Sequence, residues 1–126
     1  MNIPDHLRYT PAHLWVDAQS DGTLRAGITD HAQETLGDIV FVDAPAVGSQ
    51  LIASTPCGVI ESVKTASDLH APLSGTVLSI NQAVIDAPEL INEAPYDHWI
   101  FSFQPEDPAQ LAGLLDASAY RQLLND

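Results

Sequence analysis

The chain is divided into short apolar runs by glycines, prolines and polar turn residues, and this spacing limits the folds open to it. The runs are rich in Val, Ile and Phe and are too short for the helices of a bundle, so they predict β-strands. The predicted strands cover residues 14–16, 23–28, 38–42, 51–54, 58–63, a run that begins at 75, and 99–103. The last strand carries Trp99, Phe101 and Phe103, and we expect at least one of these rings to face the core. The pattern predicts a mainly β fold.

Short helices are predicted at the periphery of this fold. Thr29 or Asp30 can cap a short helix after the second strand. A C-terminal helical segment is predicted over about residues 107–125, with Asp107 as its N-cap. Residues 82–96 hold two prolines and little periodicity, which predicts a long loop with a helical turn.

The length and charge of the chain bound its class. Its 126 residues, 45% of them hydrophobic, predict one globular domain over residues 1–126. The formal net charge of −13 argues against a nucleic-acid partner and against an anionic membrane surface, because both require clustered cations. An acidic chain of this kind suits protein partners with basic docking surfaces.

The single cysteine and the N-terminal residues bear on the compartment. Cys57 has no partner for an internal disulfide and is predicted to be a small, buried apolar residue. The first ten residues lack the apolar core of a signal peptide, and no run reaches transmembrane length. We expect a soluble cytoplasmic protein, or an organellar matrix protein if a presequence has been removed.

Lys64 is the only lysine among four basic residues, in a chain with 17 acidic ones. The apolar run before it and the small residues Thr65, Ala66 and Ser67 after it predict a position at the tip of a tight connection. An isolated flexible amine on such a turn is accessible to a modifying enzyme. On residue type alone, an ordinary exposed lysine explains the position equally well.

The residues around Lys64 resemble the lipoyl-lysine hairpin of glycine cleavage system H proteins. The matching blocks are Glu61-Ser62-Val63-Lys64, Ala66-Ser67-Asp68 and Ala71-Pro72-Leu73-Ser74-Gly75. Further blocks in the same order extend the likeness from Tyr9 to Tyr96. The resemblance implies that Lys64 carries lipoate as an amide, on a hairpin of about residues 58–80. It also implies that Glu61 and Gly75 occupy positions that lipoylating enzymes read.

The same resemblance implies a fold and a set of partners. The fold would be a barrel-sandwich hybrid of two antiparallel sheets, with short peripheral and C-terminal helices. The protein would be a non-catalytic carrier that takes the aminomethyl group of glycine from the PLP-dependent glycine decarboxylase to the tetrahydrofolate-dependent aminomethyltransferase. Dihydrolipoyl dehydrogenase would reoxidise the arm, and a lipoate ligase or a lipoyl/octanoyltransferase would attach it.

Two further positions gain a role from the resemblance. It implies that His31 and Asp68 line a cleft in which the loaded arm rests, with Asp68 facing the ammonium group. Residue type alone favours a structural or solvated His31 and an Asp68 that accepts local hydrogen bonds. The chain departs from the family at Leu14, where the family usually has a glutamate between His13 and Trp15. We therefore expect position 14 to face the arm and to have lost an acid that helps to hold the amine.

Other classes of function find less support in the sequence. The five histidines form no i, i+4 pair and no metal-ligand spacing, and no catalytic constellation or phosphate-binding glycine loop is present. A biotinyl carrier is disfavoured because Val63-Lys64-Thr65 replaces the familiar Met-Lys-Met. Two alternatives to glycine cleavage stay open: a lipoyl relay to 2-oxoacid dehydrogenases, and a redox-linked target of a modifying enzyme. A plain interaction domain would leave Lys64 unmodified.

Overall fold

The computed structural model describes residues 1–125 and shows two antiparallel sheets with helices at their edges. The strands are β1 (Arg8–Tyr9), β2 (Leu14–Ala18), β3 (Leu24–Ile28), β4 (Ile39–Asp43), β5 (Gln50–Leu51), β6 (Pro56–Ser62), β7 (Ala66–His70), β8 (Gly75–Ile80) and β9 (Phe101–Pro105). The larger sheet has the order β1-β2-β3-β9-β8-β5, and the smaller has the order β4-β6-β7. The predicted mainly β fold is confirmed.

The helices are short and follow the strands at the surface. They are α1 (Asp30–Leu36), α2 (Gln82–Asp86), α3 (Leu90–Glu93), a 3-10 helix (Pro108–Gly113) and α4 (Ala117–Asn125). Thr29 caps α1, since its hydroxyl accepts from the backbone N–H of Ala32 at 3.2 Å. Asp107 caps the 3-10 helix through the N–H of Ala109 at 3.1 Å. Among residues 1–125, no helix is long and apolar enough to cross a bilayer.

The main core lies between the two sheets. Alternate residues of the larger sheet, among them Ala26, Val77, Phe101 and Phe103, face buried residues of the smaller sheet such as Ile60. Phe101 and Phe103 are fully buried, with ring centroids 5.9 Å apart, which confirms that rings of the last strand face the core. Burial of such rings makes one of the largest single contributions to the stability of a domain of this size.

Gly58 and Gly75 allow the backbones to approach one another closely. A Cβ atom on Gly58 would collide with the carbonyl oxygen of Asp43, and one on Gly75 would collide with the carbonyl oxygen of Gln104. Gly58 also lies at the bulge where the register between β6 and β7 shifts. Neither position has room for a side chain.

The hairpin that carries Lys64 is shorter than predicted. Its second strand is β7, whose residues Ala66–His70 pair with Pro56–Glu61 of β6. The run that starts at Gly75 instead pairs with β5 and β9 in the larger sheet. The predicted hairpin to residue 80 therefore combined strands of two sheets. Residues 71–74, between β7 and β8, take the chain from one sheet to the other.

Other differences from the predictions are local. The predicted loop over 82–96 contains α2 and α3, and the strand predicted over 51–54 is reduced to Gln50–Leu51. The C-terminal segment is confirmed as helical, although its first part is a 3-10 helix and residue 126 lies outside the described residues. Short helices of this size carry too weak a periodicity to be recognised from the sequence.

A second, smaller cluster fastens the C-terminal helix to the larger sheet. Tyr120 of α4 stacks on Tyr9 with ring centroids 4.7 Å apart and the planes nearly parallel. Trp15 and Ala117 are buried in the same cluster, and Tyr9 pairs with Leu115 through a backbone bridge. The C-terminal segment is thereby part of the domain.

Leu14 belongs to the main core, and the expectation that it faces an open arm cleft is wrong. Its side chain is 1% exposed. Successive side chains of a strand point to opposite faces, so with Trp15 directed into the second cluster, Leu14 and Val16 must face the main core. A glutamate here would not find the solvent that a carboxylate requires.

Truncation of Leu14 tests this placement. Leu14→Ala should lower the free energy of unfolding by about 2–5 kcal/mol, because it leaves a cavity in a well-packed core. Leu78 is 44% exposed, so Leu78→Ala should change the stability by no more than about 0.5 kcal/mol. Denaturant unfolding of the two variants provides the comparison. Equal, small effects would mean that Leu14 is not a core residue.

Candidate functional site

Lys64 lies in the turn between β6 and β7, and its side chain is exposed. The turn is closed by the N–H of Ser62, which donates to the carbonyl of Thr65 at 2.7 Å. The hydroxyl of Ser62 accepts from the N–H groups of Lys64 and Thr65 at 3.3 and 3.2 Å. The backbone of the turn is thus held by Ser62, and the predicted position at the tip of a tight connection is confirmed.

The turn also rests on the end of α1. The N–H of Val63 donates to the carbonyl of Asp38 at 3.0 Å. The Cε atom of Lys64 lies 3.4 Å from the place where Gly37 would carry a Cβ. Gly37 has a φ of +81°, a conformation that favours glycine, and it ends the helix. The lysine side chain therefore runs beside a bare stretch of backbone.

Asn92 holds this junction in place from α3. Its Oδ1 accepts from the N–H of Ile39 at 2.9 Å, and its Nδ2 donates to the carbonyl of Gly37 at 2.8 Å. Nδ2 also lies 3.1 Å from Oε1 of Gln33 in α1. These contacts flank Asp38, whose carbonyl supports the turn. Asn92 is a positioning residue that the sequence analysis missed, because its partners lie 53 to 59 residues away along the chain.

Glu61 and Asp68 lie on the same sheet as Lys64, and both are exposed. Glu61 is opposite Phe41 of β4 and Ala66 of β7, whereas Asp68 is opposite Val59. Since directly paired residues point to the same side of a sheet, both carboxylates project from its solvent face. Glu61 and Asp68 thus share the solvent face of the smaller sheet, whose β6–β7 turn carries Lys64.

Gly75 and His31 lie elsewhere. Gly75 is buried in the larger sheet against Gln104, outside the hairpin. His31 is half-buried in the first turn of α1, with its ring 4.6 Å from that of His13. It lines a cavity with residues of the N-terminus and of α4. Within residues 1–125 the one ion pair joins Arg121 to Asp5, so none links His31 to Asp68.

His13 connects this region to α4. Its Nδ1 lies 2.8 Å from the hydroxyl of Tyr120, which lies 2.8 Å from the hydroxyl of Thr29, the cap of α1. Burial, and then the neighbouring ring of His31, lower the pKa of His13 from its ordinary value. The neutral imidazole is therefore favoured at neutral pH, and its tautomer with the proton on Nε2 can accept a hydrogen bond from Tyr120 at Nδ1.

Among residues 1–125, metal ligands and a reactive thiol would be the alternatives to the exposed amine of Lys64. In the part of the chain that the structure describes, no three or more His, Cys, Asp or Glu side chains are placed to hold a metal ion. Burial raises the pKa of Cys57 to about 11, so its thiol stays protonated at neutral pH and is a weak nucleophile. The exposed amine of Lys64 is the group best placed for covalent chemistry.

The lowered pKa of His13 predicts a dependence of stability on pH. In the unfolded chain His13 binds a proton more readily than in the folded one, so its contribution to stability is present above about pH 6.5 and is lost as the pH falls through the lower folded pKa. His13→Asn removes this titration and tolerates the positive φ of 68°.

Denaturant midpoints at about pH 7 and about pH 5 measure this effect. The wild type should lose more stability between these pH values than His13→Asn. His6→Asn, an exposed control, should behave as the wild type. An identical pH dependence of all three proteins would contradict the prediction.

Removal of the Asn92 side chain should loosen the lysine turn. Asn92→Ala leaves the N–H of Ile39 and the carbonyl of Gly37 without these partners, at a cost of about 1–3 kcal/mol. The N–H of Val63 should then exchange with solvent faster, as measured by hydrogen exchange. Asn81→Ala is a matched control, because the Nδ2 atom of Asn81 donates to the carbonyl of Trp99 at 2.9 Å, between the residues that precede α2 and β9. If the N–H of Val63 exchanges at the same rate in both variants, Asn92 does not support the turn.

Comparison with known proteins places these features in a family. The family model of the glycine cleavage H-protein matches residues 7–126. A glycine cleavage system H protein of Methylobacillus flagellatus is 60% identical over 124 residues, which are 98% of this chain and 99% of that protein. A protein of the same name from Cronobacter sakazakii is 52% identical over 126 residues, 99% and 98% of the two chains.

The fold shows the same relationship. The crystal structure of a glycine cleavage system H protein from Mycobacterium marinum superposes with a TM-score of 0.89 at 42% identity, over 98% of this chain and 100% of that one. The predicted lipoyl-domain-like arrangement of two antiparallel sheets is confirmed by this similarity. With the family model, the relatives and the fold in agreement, the chain belongs to the glycine cleavage H-protein family.

Proposed function

We propose that Lys64 carries lipoate in amide linkage and that the protein is the non-catalytic carrier of a glycine cleavage system. The observation that carries this proposal is the position of Lys64, the only lysine of the chain, exposed on a fixed turn of a family member. Attachment would join the neutral Nζ to the carbonyl carbon of an activated lipoyl group. The amide forms as the activating group leaves, and the amine loses a proton.

The surroundings of Lys64 fit such an attachment. The turn is fixed through Ser62 and Asp38, while Nζ of Lys64 makes no hydrogen bond or ion pair with any of residues 1–125. Lipoate would supply a dithiolane at the end of a long flexible arm. A tethered group of this kind reaches effective concentrations in about the millimolar range at each active site it visits. A rigid base and a mobile arm are what a carrier requires.

The partners follow from the family. The arm would receive the aminomethyl group of glycine at the PLP-dependent glycine decarboxylase and release it at the tetrahydrofolate-dependent aminomethyltransferase. Dihydrolipoyl dehydrogenase would return the arm to its oxidised form. An acidic surface supports fast and weak docking to each of these enzymes, so that the carrier can leave after every step.

Glu61 and Gly75 would serve the lipoylating enzyme in different ways. The exposed carboxylate of Glu61, three residues before Lys64, is available for direct contact with a lipoate ligase or a lipoyl/octanoyltransferase. Gly75 is buried, so its contribution would pass through the fold, by letting β8 approach β9. Substitution of Gly75 would therefore disturb the domain as well as its recognition.

His31 and Asp68 are proposed as the sides of the cleft for the loaded arm. Asp68 offers an exposed carboxylate on the same sheet as Lys64, where it can pair with an ammonium group. Such an exposed pair contributes about 0.2–1 kcal/mol. His31 lies about 9 Å along α1 from Gly37, which borders the lysine side chain. The burial of Leu14 leaves Asp68 as the acid that we propose for this role.

Two related roles would use the same turn. A lipoyl relay to 2-oxoacid dehydrogenases, or a redox-linked target of a modifying enzyme, needs the same acylated Lys64. The neighbouring genes distinguish these roles, because a glycine cleavage carrier is expected beside the other glycine cleavage components. We also propose a reducing compartment, cytoplasmic or organellar matrix, in keeping with the single cysteine of the chain.

Intact-mass analysis tests the modification. After expression with lipoate and a ligase, the wild type should gain one lipoyl group, and peptide mapping should locate it on Lys64 and not on the N-terminal amine. Lys64→Arg should keep the fold, as shown by circular dichroism, and gain no mass. Lipoylation of Lys64→Arg, or an unmodified wild type beside a lipoylated reference domain, would refute the proposal.

A further inference from the structure

The solvent face of the smaller sheet combines apolar and acidic side chains in a regular pattern. One row across the strands is Phe41, Glu61 and Ala66, and the next row is Asp43, Val59 and Asp68. We call these six residues the hairpin face. Phe41 is 48% exposed, and a large ring in such a position loses the benefit of burial unless a partner covers it.

Apolar exposure continues from the hairpin face toward the lysine turn. Val63, next to Lys64, is 69% exposed. Val40, at the irregularity where the register of β4 on β6 shifts, is 53% exposed. Since the N–H of Val63 donates to the carbonyl of Asp38, these residues adjoin Phe41 along β4. Exposed apolar side chains therefore lie beside the turn that carries Lys64.

The charges of this region are almost all negative. The hairpin face carries the exposed carboxylates of Asp43, Glu61 and Asp68, and Lys64 would lose its charge on acylation. The arginines of the chain lie on other elements. Arg8 donates to the carbonyl of Leu114, Arg25 lies 4.8 Å over the ring of Trp99, and Arg121 binds Ile3 and Asp5.

We propose that the hairpin face, together with Val63, is the docking surface for the enzyme that acylates Lys64, and that Phe41 is its anchor. The surface fits an enzyme that presents an apolar recess rimmed by lysines and arginines. Phe41 would enter the recess while Asp43, Glu61 and Asp68 meet the basic rim. This inference rests on the proposed function, since it assigns a binding surface to the acylation of Lys64.

The chemistry of acylation selects this partner. The reaction takes place at Nζ itself, so the acylating enzyme must enclose the lysine turn and cover the strands beside it. Enzymes that act on the far end of a long arm have no such requirement. A second copy of this chain is a poor occupant, because two faces with the same three carboxylates repel each other.

Anchor and rim make different contributions to such a complex. A buried aromatic side chain at the centre of an interface supplies much of the affinity, whereas rim charges mainly speed the encounter. Truncation of Phe41 should therefore lower the affinity of the enzyme for the carrier. Loss of the carboxylates should instead weaken the dependence of KM on salt concentration. The acylation step itself should be unchanged.

Acylation kinetics of the full-length protein with a purified lipoate ligase test the anchor. Phe41→Ala should raise the KM for the carrier about tenfold, with kcat changed less than about twofold. Phe41→Leu should retain most of the affinity, because it keeps an apolar side chain. Leu78→Ala is the matched control, since Leu78 is 44% exposed on the larger sheet. The KM of Val63→Ala is compared with that of Val47→Ala. This control removes the same two methyl groups from a side chain that is 61% exposed.

The dependence of KM on salt concentration tests the contribution of the carboxylates of the hairpin face. Between about 0.05 and about 0.5 M salt, the KM of the wild type should rise several-fold, because rim charges are screened. Asp43→Asn combined with Asp68→Asn should flatten this dependence. Glu89→Gln combined with Glu106→Gln, which removes two exposed carboxylates on other elements, should not. Circular dichroism and thermal unfolding confirm that each variant is folded under the assay conditions.

The outcomes separate the docking surface from the proposed function. If the wild type is acylated but Phe41→Ala and Leu78→Ala have the same KM, the docking surface is wrong and the carrier role stands. If the wild type is not acylated at Lys64, both fail. A Phe41-dependent dimer in sedimentation, with acylation unaffected by Phe41→Ala, would assign the face to a second copy and overturn the proposal.

Discussion

The fold depends on the close approach of backbones at Gly58 and Gly75. Gly58 brings β6 against the carbonyl of Asp43 in the smaller sheet, and Gly75 brings β8 against the carbonyl of Gln104 in the larger one. A side chain at either position would separate strands whose inner faces form the core. Because protein interiors pack at nearly crystalline density, such a separation cannot be absorbed by neighbouring side chains.

The lysine turn is held in place by several elements at once. Asn92 of α3 binds both sides of Asp38, the carbonyl of Asp38 binds Val63, and Ser62 closes the turn. Each hydrogen bond contributes little by itself. Together they connect a surface loop to the interior through α1 and α3, so that a mobile arm would swing from a fixed point. A carrier benefits from a fixed attachment point and a mobile arm, because the fixed turn presents the lysine for modification and the mobile arm reaches the active sites.

The distribution of charge completes this arrangement. The arginines contact backbone carbonyls, an aromatic ring and a single carboxylate, all away from the hairpin. The sheet that presents Lys64 is left acidic, with Phe41 as a partly exposed ring among carboxylates. In the docking that we propose, long-range attraction would speed the encounter with a basic partner, and the ring of Phe41 would supply the affinity. Stable binding would hinder the carrier role that we propose for this chain.

The sequence by itself determined what depends on neighbouring residues: most of the short strands, a helix cap at Thr29 or Asp30, the turn at Lys64 and, through spaced blocks of residues, the family. It failed where distant segments decide. The hairpin partner of β6 is β7 and not the run from Gly75, because the chain crosses between sheets at residues 71–74. Leu14 is a core residue because Trp15 takes the opposite face. Asn92 supports the turn through groups more than fifty residues away. Register, face and long-range hydrogen bonds arise only when the sheets pack, so the tertiary structure alone decided them.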